Sequence, residues 1–295
     1  MLAFKKVFLR YVVLVLALIA ILASFGWLKY SHARRQSLLL EDEPGRSDSF
    51  KPYASRQMDG VDIGIFLDSR VALLFDSDHF PPTNGFLYAI RTGHALPAGV
   101  VKNMGCAAAI DRRGYFLTAA HCLAEKELRL VGREFGTNGA ALRVMSPRVV
   151  WQGDSRKGEP DLAILKVKRP LERAFEMADD VHKNDPVMAV GLLMTNTTVL
   201  IQMEFMGGKI LDCIKQKGSD GGSIVISDVP LRHGDSGGPL LNVDGRLVGI
   251  DTQIFYPVAH WLLPGGFISR SEHPDLKRVS EIIEKDFRDH SAAPK

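Results

Sequence analysis

The sequence predicts an all-β fold of two packed β-barrels followed by one C-terminal α-helix, and three observations predict it. From Gly85 onward, short apolar stretches follow one another, separated by Gly, Asp, Asn and Pro, the rhythm of short strands joined by turns. The charged segment Pro170 to Asp185, with Glu172, Arg173, Glu176, Asp179 and Asp180, interrupts that rhythm and divides the strands into two series. Pro274 to Phe287 then places Leu276, Val279, Ile282, Ile283 and Phe287 at helical spacing among charged residues, which predicts an amphipathic helix docked on the barrels with a solvated outer face.

In the first series the candidate strands are Phe86 to Ile90, Ala107 to Ile110, Tyr115 to Thr118, Leu128 to Val131, Ala141 to Trp151 and Leu162 to Val167, with turns such as Asp111-Arg112-Arg113-Gly114 between them. Such a set closes a small barrel. The second series comprises Val187 to Leu192, Thr198 to Phe205, Lys209 to Ile214, Ser223 to Ser227, Leu240 to Val243, Arg246 to Thr252 and Phe267 to Ser269. Between Val243 and Arg246, Asp244-Gly245 predicts a two-residue type I′ hairpin with both residues at positive φ. The implied divisions are a leader over 1–30, a stalk or pro-segment over 31–82 and a globular domain over 83–295. Within that domain, barrel one covers about 83–170, barrel two about 186–270 and the helix about 274–288.

The leader is a membrane signal. Lys5, Lys6 and Arg10 precede an uninterrupted apolar run from Tyr11 to Leu28, with Trp27 and Tyr30 at its far edge. About 18 apolar residues cross the hydrocarbon core of a bilayer, more than the roughly 7 to 15 of a cleaved signal peptide. The run therefore reads as a single-pass anchor; the alternative is processing after Gly26 or Ala33, where small residues stand at the required spacing. Lys29, Arg34 and Arg35 rival the charges on the near side, so charge does not set the orientation. Ser31 to about Ser55 is polar around Glu41-Asp42-Glu43-Pro44-Gly45 and reads as a flexible stalk. Val61 to Phe75 is apolar again, either a strand packed on the domain or part of a pro-segment.

Composition excludes several classes. With 46% hydrophobic and 24% charged residues the chain is an ordinary globular protein, neither disordered nor polytopic. A net charge of +3, with Lys and Arg scattered among nearly as many Asp and Glu, argues against a nucleic-acid partner. No His-x-x-x-His or Cys-x-x-Cys cluster supports a metal site, and no cofactor is implied. Of the three cysteines, Cys213 reads as a small buried hydrophobe.

Three segments carry chemistry. Leu117-Thr118-Ala119-Ala120-His121-Cys122 sets a His where an apolar strand ends, and Asp161-Leu162-Ala163-Ile164-Leu165 sets a carboxylate at the mouth of a buried strand. Each alone is unremarkable. Arg232-His233-Gly234-Asp235-Ser236-Gly237-Gly238-Pro239-Leu240 is specific: a hydroxyl framed by glycines and followed by a strand. Nucleophilic catalysis needs a hydroxyl, a base to take its proton, a group to orient the base and donors aimed at the oxyanion. His121, Asp161, Ser236 and the N–H groups of Gly234 and Ser236 are candidates for those roles.

With these motifs the sequence resembles the trypsin and chymotrypsin-like serine proteases, particularly bacterial members, over roughly Gly85 to Arg270. Thr-Ala-Ala-His-Cys, Asp-Leu-Ala-Ile-Leu and Gly-Asp-Ser-Gly-Gly-Pro occur in the family's order of His, Asp, then Ser. The resemblance implies two packed six-stranded antiparallel barrels and a serine endopeptidase acting on proteins or peptides. In it His121 is general base and then acid, Asp161 orients the imidazole, Ser236 forms the acyl-enzyme, and Gly234 and Ser236 supply the oxyanion hole. It further implies a disulfide between Cys106 and Cys122, 16 positions apart. That bond requires an oxidising compartment, so the domain is expected outside the cytoplasm, periplasmic or extracellular, on a membrane anchor, or secreted if the leader is cleaved.

Two departures from the family's pattern stand out. No Ile-Val-Gly-Gly-like segment precedes Gly85 to supply a terminal ammonium for Asp235, which leaves that carboxylate in need of another partner. The position of the acidic pocket residue in trypsin-like members holds Pro230, followed by Leu231, so a preference for Lys or Arg is not implied, although Asp251 near the pocket-edging strand is a candidate acidic wall. Two rival readings remain. An inactive protease-like module would bind peptides through the same cleft. A serine esterase would use Gly234-Asp235-Ser236-Gly237-Gly238 as a Gly-x-Ser-x-Gly elbow, with the wrong chain order for the His and acid.

Overall fold

The computed structural model describes residues 70–77, 103–124, 127–136, 139–195, 198–215, 222–255 and 268–291. The leader, the stalk and the candidate strand Phe86 to Ile90 lie outside the described residues, among which no helix is long and apolar enough to cross a membrane. The first lobe contains β1 (Val71–Ser77), β2 (Asn103–Asp111), β3 (Tyr115–Ala119), β4 (Glu127–Gly136), β5 (Gly139–Met145), β6 (Arg148–Gln152) and β7 (Leu162–Lys166). The second contains β8 (Pro186–Thr195), β9 (Thr198–Lys215), β10 (Ser223–Ser227), β11 (Pro239–Asn242), β12 (Leu247–Phe255) and β13 (Ile268–His273), followed by α1 (Leu276–Ser291).

The second lobe is the closed six-stranded barrel expected, in the order β10-β13-β12-β11-β8-β9. The first is not a closed barrel. It is an open seven-stranded antiparallel sheet, a half-barrel ordered β5-β4-β1-β2-β3-β7-β6, and two local features account for the difference. The apolar segment ending near Phe75 supplies β1, which inserts between β2 and β4. The single strand expected over Ala141 to Trp151 divides at Ser146-Pro147, because proline lacks the N–H that a ladder needs. The two pieces, β5 and β6, become the opposite edges of the sheet.

Two smaller expectations also change. Thr198 to Phe205 and Lys209 to Ile214 form one long strand, β9, running through Met206-Gly207-Gly208. The hairpin joining β11 and β12 has a three-residue loop: Gly245 N–H donates to Asn242 O at 3.0 Å, Asn242 N–H to Arg246 O at 3.0 Å. Only Gly245 takes positive φ (75°) there, the type I turn with a left-handed glycine that three-residue hairpins use. Asn242 Oδ1 accepts from Asp244 N–H and Arg246 N–H, a local bond that favours this turn over the tighter one.

Strands β2, β3 and β7 are buried on both faces, which is what their unbroken apolar sequences encode. Successive side chains point to opposite faces: Ala108, Tyr115, Leu117, Leu162 and Ile164 join the cluster shared with barrel residues Val190, Leu241 and Ile250. Ala107, Ala109, Phe116, Ala163 and Leu165 fill the interior of the sheet. The charged connection is stitched to both lobes, Phe175 N–H donating to Ala109 O and Ala178 N–H to Leu247 O. Asp275 accepts from Lys277 N–H and Arg278 N–H at the start of α1, an N-cap. The helix lays Val279, Ile282 and Ile283 on the shared cluster. Tyr115 Oη donates to Asp286 at 2.8 Å, and the Arg278 guanidinium covers the Trp151 ring at 5.1 Å.

Candidate active site

Register alone brings His121 and Asp161 together. β3 and β7 pair antiparallel with Ala119 opposite Leu162, so the residues just beyond the end of β3 meet the residue just before β7. A 3₁₀ turn over Ala120–Cys122 follows β3 directly. Ala120 N–H donates to Asp161 O at 3.2 Å, His121 N–H to Asp161 Oδ1 at 2.9 Å, and His121 Nδ1 lies 2.7 Å from Asp161 Oδ2. One carboxylate thus fixes both the backbone and the ring of His121, leaving the other ring nitrogen, Nε2, outside that contact. The Asp161 hydrogen bond, and then the neighbouring Cys122 sulfur, favour the imidazolium and raise the His121 pKa to about 10, although 46% of the side chain is exposed. Gln152, which sequence reasoning passed over, donates from Nε2 to Ala120 O at 3.0 Å and braces the turn; only its place at the end of β6, beside β7, signals that role.

The segment 232–239 crosses the seam between the lobes. Ser236 O accepts Cys106 N–H of β2 at 2.7 Å, Gly237 N–H donates to Asp251 O of β12 at 2.7 Å, and Asp251 N–H donates to Gly238 O at 2.9 Å. Ser236 is therefore tied by backbone to the sheet on one side and to the barrel on the other. Gly237 has φ 85°, and a Cβ there would collide with Cys106 O and Thr118 Oγ1; no other residue suits the crossing. Asp235 is buried, and its Oδ2 accepts Arg232 N–H at 2.7 Å, so a backbone amide three residues away in the same loop is one partner of the carboxylate for which a terminal ammonium was sought. Ser236 is half-buried. Its Oγ has no hydrogen-bond partner among the described residues, and neither the Ser236 nor the Gly234 N–H has an acceptor there.

Cys106 and Cys122 do not form the disulfide expected of them. Both are buried behind the loop, but their sulfurs point at different carbonyls, Cys106 Sγ at Gly234 O (3.5 Å) and Cys122 Sγ at Ser236 O (3.8 Å). The thiols hold the loop by weak hydrogen bonds in place of a cross-link. With both thiols free, nothing in these two cysteines requires an oxidising compartment. Cys213 is half-buried, its Sγ 3.5 Å from Ser223 Oγ.

The sequence matches the trypsin-like peptidase domain over residues 99–250, just over half of the chain. The chain belongs to that family. Among curated relatives it is 28% identical to a probable periplasmic serine endoprotease DegP-like of Brucella suis over 178 residues, 57% of this chain and 30% of the relative. It is 28% identical to serine protease HTRA1B of Danio rerio over 151 residues, 48% of this chain and 29% of the relative. With the putative protease Do-like 14 of Arabidopsis thaliana the figures are 26% over 200 residues, 58% and 44%. The chain thus spans less than half the length of these relatives. A solved serine endoprotease from Yersinia pestis superposes with a TM-score of 0.48 at 20% identity, covering 75% of this chain and 64% of that one.

The remaining expected residues are spread over this trypsin-like domain. Pro230 is half-buried, and Leu231 packs inside the barrel with Val225, Val229 and Leu240. Asp251 is buried beneath the Ser236 loop, accepting Ser271 Oγ at 2.6 Å on Oδ1, while its Oδ2 has no hydrogen-bond partner among the described residues. Gly238 leads into a strand, β11, and not into the helix that a Gly-x-Ser-x-Gly elbow requires.

Proposed function

We propose that the chain is a serine endopeptidase that hydrolyses peptide bonds through an acyl-enzyme on Ser236. His121 takes the Ser236 proton as Oγ attacks the scissile carbonyl, and the N–H groups of Gly234 and Ser236 receive the developing oxyanion. His121 then returns that proton to the leaving amine, and water, activated by the same imidazole, releases the acid product and restores Ser236. Asp161 acts throughout by fixing the imidazole on Nδ1 and stabilising its charged form.

The observation that carries this reading is the two-point hold of Asp161 on His121, in a turn whose next residue, Cys122, reaches the Ser236 carbonyl. The serine endoprotease relatives support the same chemistry. The periplasmic relative, together with the leader Tyr11 to Leu28, supports a catalytic domain exported across the membrane and tethered to it. A binding module is the second reading, favoured by the absence of a hydrogen bond between Ser236 Oγ and His121; resting sites are, however, often looser than reacting ones. Labelling the purified chain with a fluorophosphonate distinguishes the two. The wild type is expected to label and Ser236→Ala and His121→Ala to lose the label. A wild type that stays unlabelled would favour the binding module.

A further inference from the structure

Helix α1 reaches the segment that delivers Asp161. β6 ends at Gln152 and β7 begins at Leu162, so the loop over 153–160 runs straight into Asp161. That loop closes on itself. Gly153 N–H donates to Leu162 O at 2.9 Å and Leu162 N–H to Pro160 O at 2.8 Å, and a Cβ on Gly153 would run into Pro160 O. Asp154 O accepts the N–H groups of Lys157 and Glu159, and Asp154 N–H donates to Glu159 Oε2 at 2.9 Å. A compact loop of this kind shifts as one body and carries Asp161 with it. β6, which feeds the loop, is an edge strand paired with β7 alone among the described residues, so the sheet ladder holds it on one side.

Arg278 in the first turn of α1 touches both pieces. Its Nη2 donates to the other oxygen of Glu159, Oε1, at 3.2 Å, and its guanidinium covers the Trp151 ring at 5.1 Å. Glu159 stands two residues before Asp161, and Trp151 immediately precedes Gln152, whose amide holds Ala120 O in the His121 turn at 3.0 Å. Arg156 and Lys157 in the same loop pair with Asp154, at 3.2 Å and 3.6 Å. A guanidinium suits this place because it stacks on an indole with its face while donating from its edge, which an ammonium cannot do at once. The helix that carries it is fixed along its length: Asp275 caps it, Val279, Ile282 and Ile283 pack with Trp151 on the shared cluster, and Asp286 accepts Tyr115 Oη at the start of β3.

Resting on the endopeptidase reading, we propose that Arg278 is a positioning residue for the His121–Asp161 pair, holding the Asp161 loop and the Gln152 brace in place from helix α1. Register brings Asp161 to His121; the clamp governs how closely it stays there. Arg278 itself touches neither substrate nor the reacting atoms. Its ion pair adds little to folding, since its side chain is 34% exposed and that of Glu159 31%, and pairs so open to water are screened. Its effect lies in placement. Asp161 meets the His121 ring at 2.7 Å and its backbone N–H at 2.9 Å, and a displacement of about 1 Å in such a pair costs about 100-fold in rate.

The test compares the full chain with Arg278→Ala and Arg278→Lys by melting temperature, by fluorophosphonate labelling and cleavage of a fluorogenic peptide, and by NMR titration of the His121 ring. The ring signal is assigned by its loss in His121→Ala, and its titration needs no cleavage. Arg278→Ala is expected to lower the melting temperature by under about 4 °C yet to lower kcat by about 10–100-fold, with KM within about twofold of wild type. Its His121 ring should titrate at lower pH, because a looser Asp161 favours the imidazolium less. Arg278→Lys keeps the charge over Trp151 without the fork and is expected to recover part of both losses; it also reads the same quantities should Arg278→Ala not fold. Variants that fold and keep the wild-type kcat and His121 titration, whatever their melting temperatures, overturn the assignment of Arg278 and leave the endopeptidase standing. A wild type that neither labels nor cleaves overturns the endopeptidase reading, and the His121 titration alone then tests the hold of Arg278 on the pair.

Discussion

On the sheet side of the seam, His121 is held at backbone and ring by one carboxylate, and Gln152 closes the turn from behind. On the barrel side, Ser236 is held through its carbonyl and its neighbours' backbone, while Ser236 Oγ and Asp251 Oδ2 have no hydrogen-bond partner among the described residues. In the proposed mechanism the base is thus held before substrate arrives, and the proposed nucleophile keeps its hydroxyl for the substrate. The contrast follows from chain geometry. A strand register delivers two side chains to one point without further help, whereas a crossing loop must be pinned by backbone and so leaves side chains unspent.

The largest effect that would break this comparison is on the base side. Asp161→Asn keeps the size of the side chain but loses its charge and the fixed tautomer, and is expected to lower kcat by about 10³–10⁴-fold with labelling slowed in parallel. The pH profile sharpens it. His121 has its pKa raised to about 10 from an ordinary value of about 6.5, so the folded state binds this proton more tightly than the unfolded state does. That contribution to stability is full below about pH 6.5 and is lost as pH climbs toward about 10. Catalysis needs the neutral ring, so the rate of labelling should rise over the same window in which stability falls. Asp161→Asn removes the main cause and should move the rise in rate to lower pH. A profile unchanged by the substitution would mean that Asp161 does not govern His121.

The loop side predicts a smaller, structural loss. Gly237→Ala forces a side chain into a positive φ and against Cys106 O and Thr118 Oγ1, and is expected to cost about 2–4 kcal/mol in denaturant unfolding. If Gly237→Ala were as stable as the wild type, the loop would be loose and the backbone account of the nucleophile wrong.

How much of this was legible in the sequence follows the same divide. The strands ending at His121 and beginning at Asp161 were readable because burial on both faces writes an unbroken apolar run, and α1 because its period is helical. The closed barrel was readable as a series of strands. What the sequence left open or missed depended on neighbours distant in sequence. β1 looks like any apolar segment until β2 and β4 pair with it, and Pro147 splits a strand only if the ladder needs its N–H. Gln152 matters solely because β6 lies beside β7. The Asp244-Gly245 pair suggested a tight turn, but Asn242 Oδ1, two residues earlier, selected another.

The cysteines are the sharpest case, since spacing suggested a bond that side-chain direction denies. Cys106 leaves β2 toward Gly234 O, and Cys122 leaves the 3₁₀ turn toward Ser236 O, so each sulfur serves the loop and not the other sulfur. A disulfide would tie sheet residue to sheet residue and forgo both sulfur contacts with the loop; the two thiols add to its backbone ties instead. A reductant should therefore leave the melting temperature and the labelling rate unchanged, the smallest effect expected here. Truncating either side chain to a methyl removes its hydrogen bond to the loop, so Cys122→Ala should cost about 1 kcal/mol, reductant or not. A melting temperature that drops on reduction would put a cross-link at the seam and make the sheet side, not the loop, the beneficiary of both cysteines.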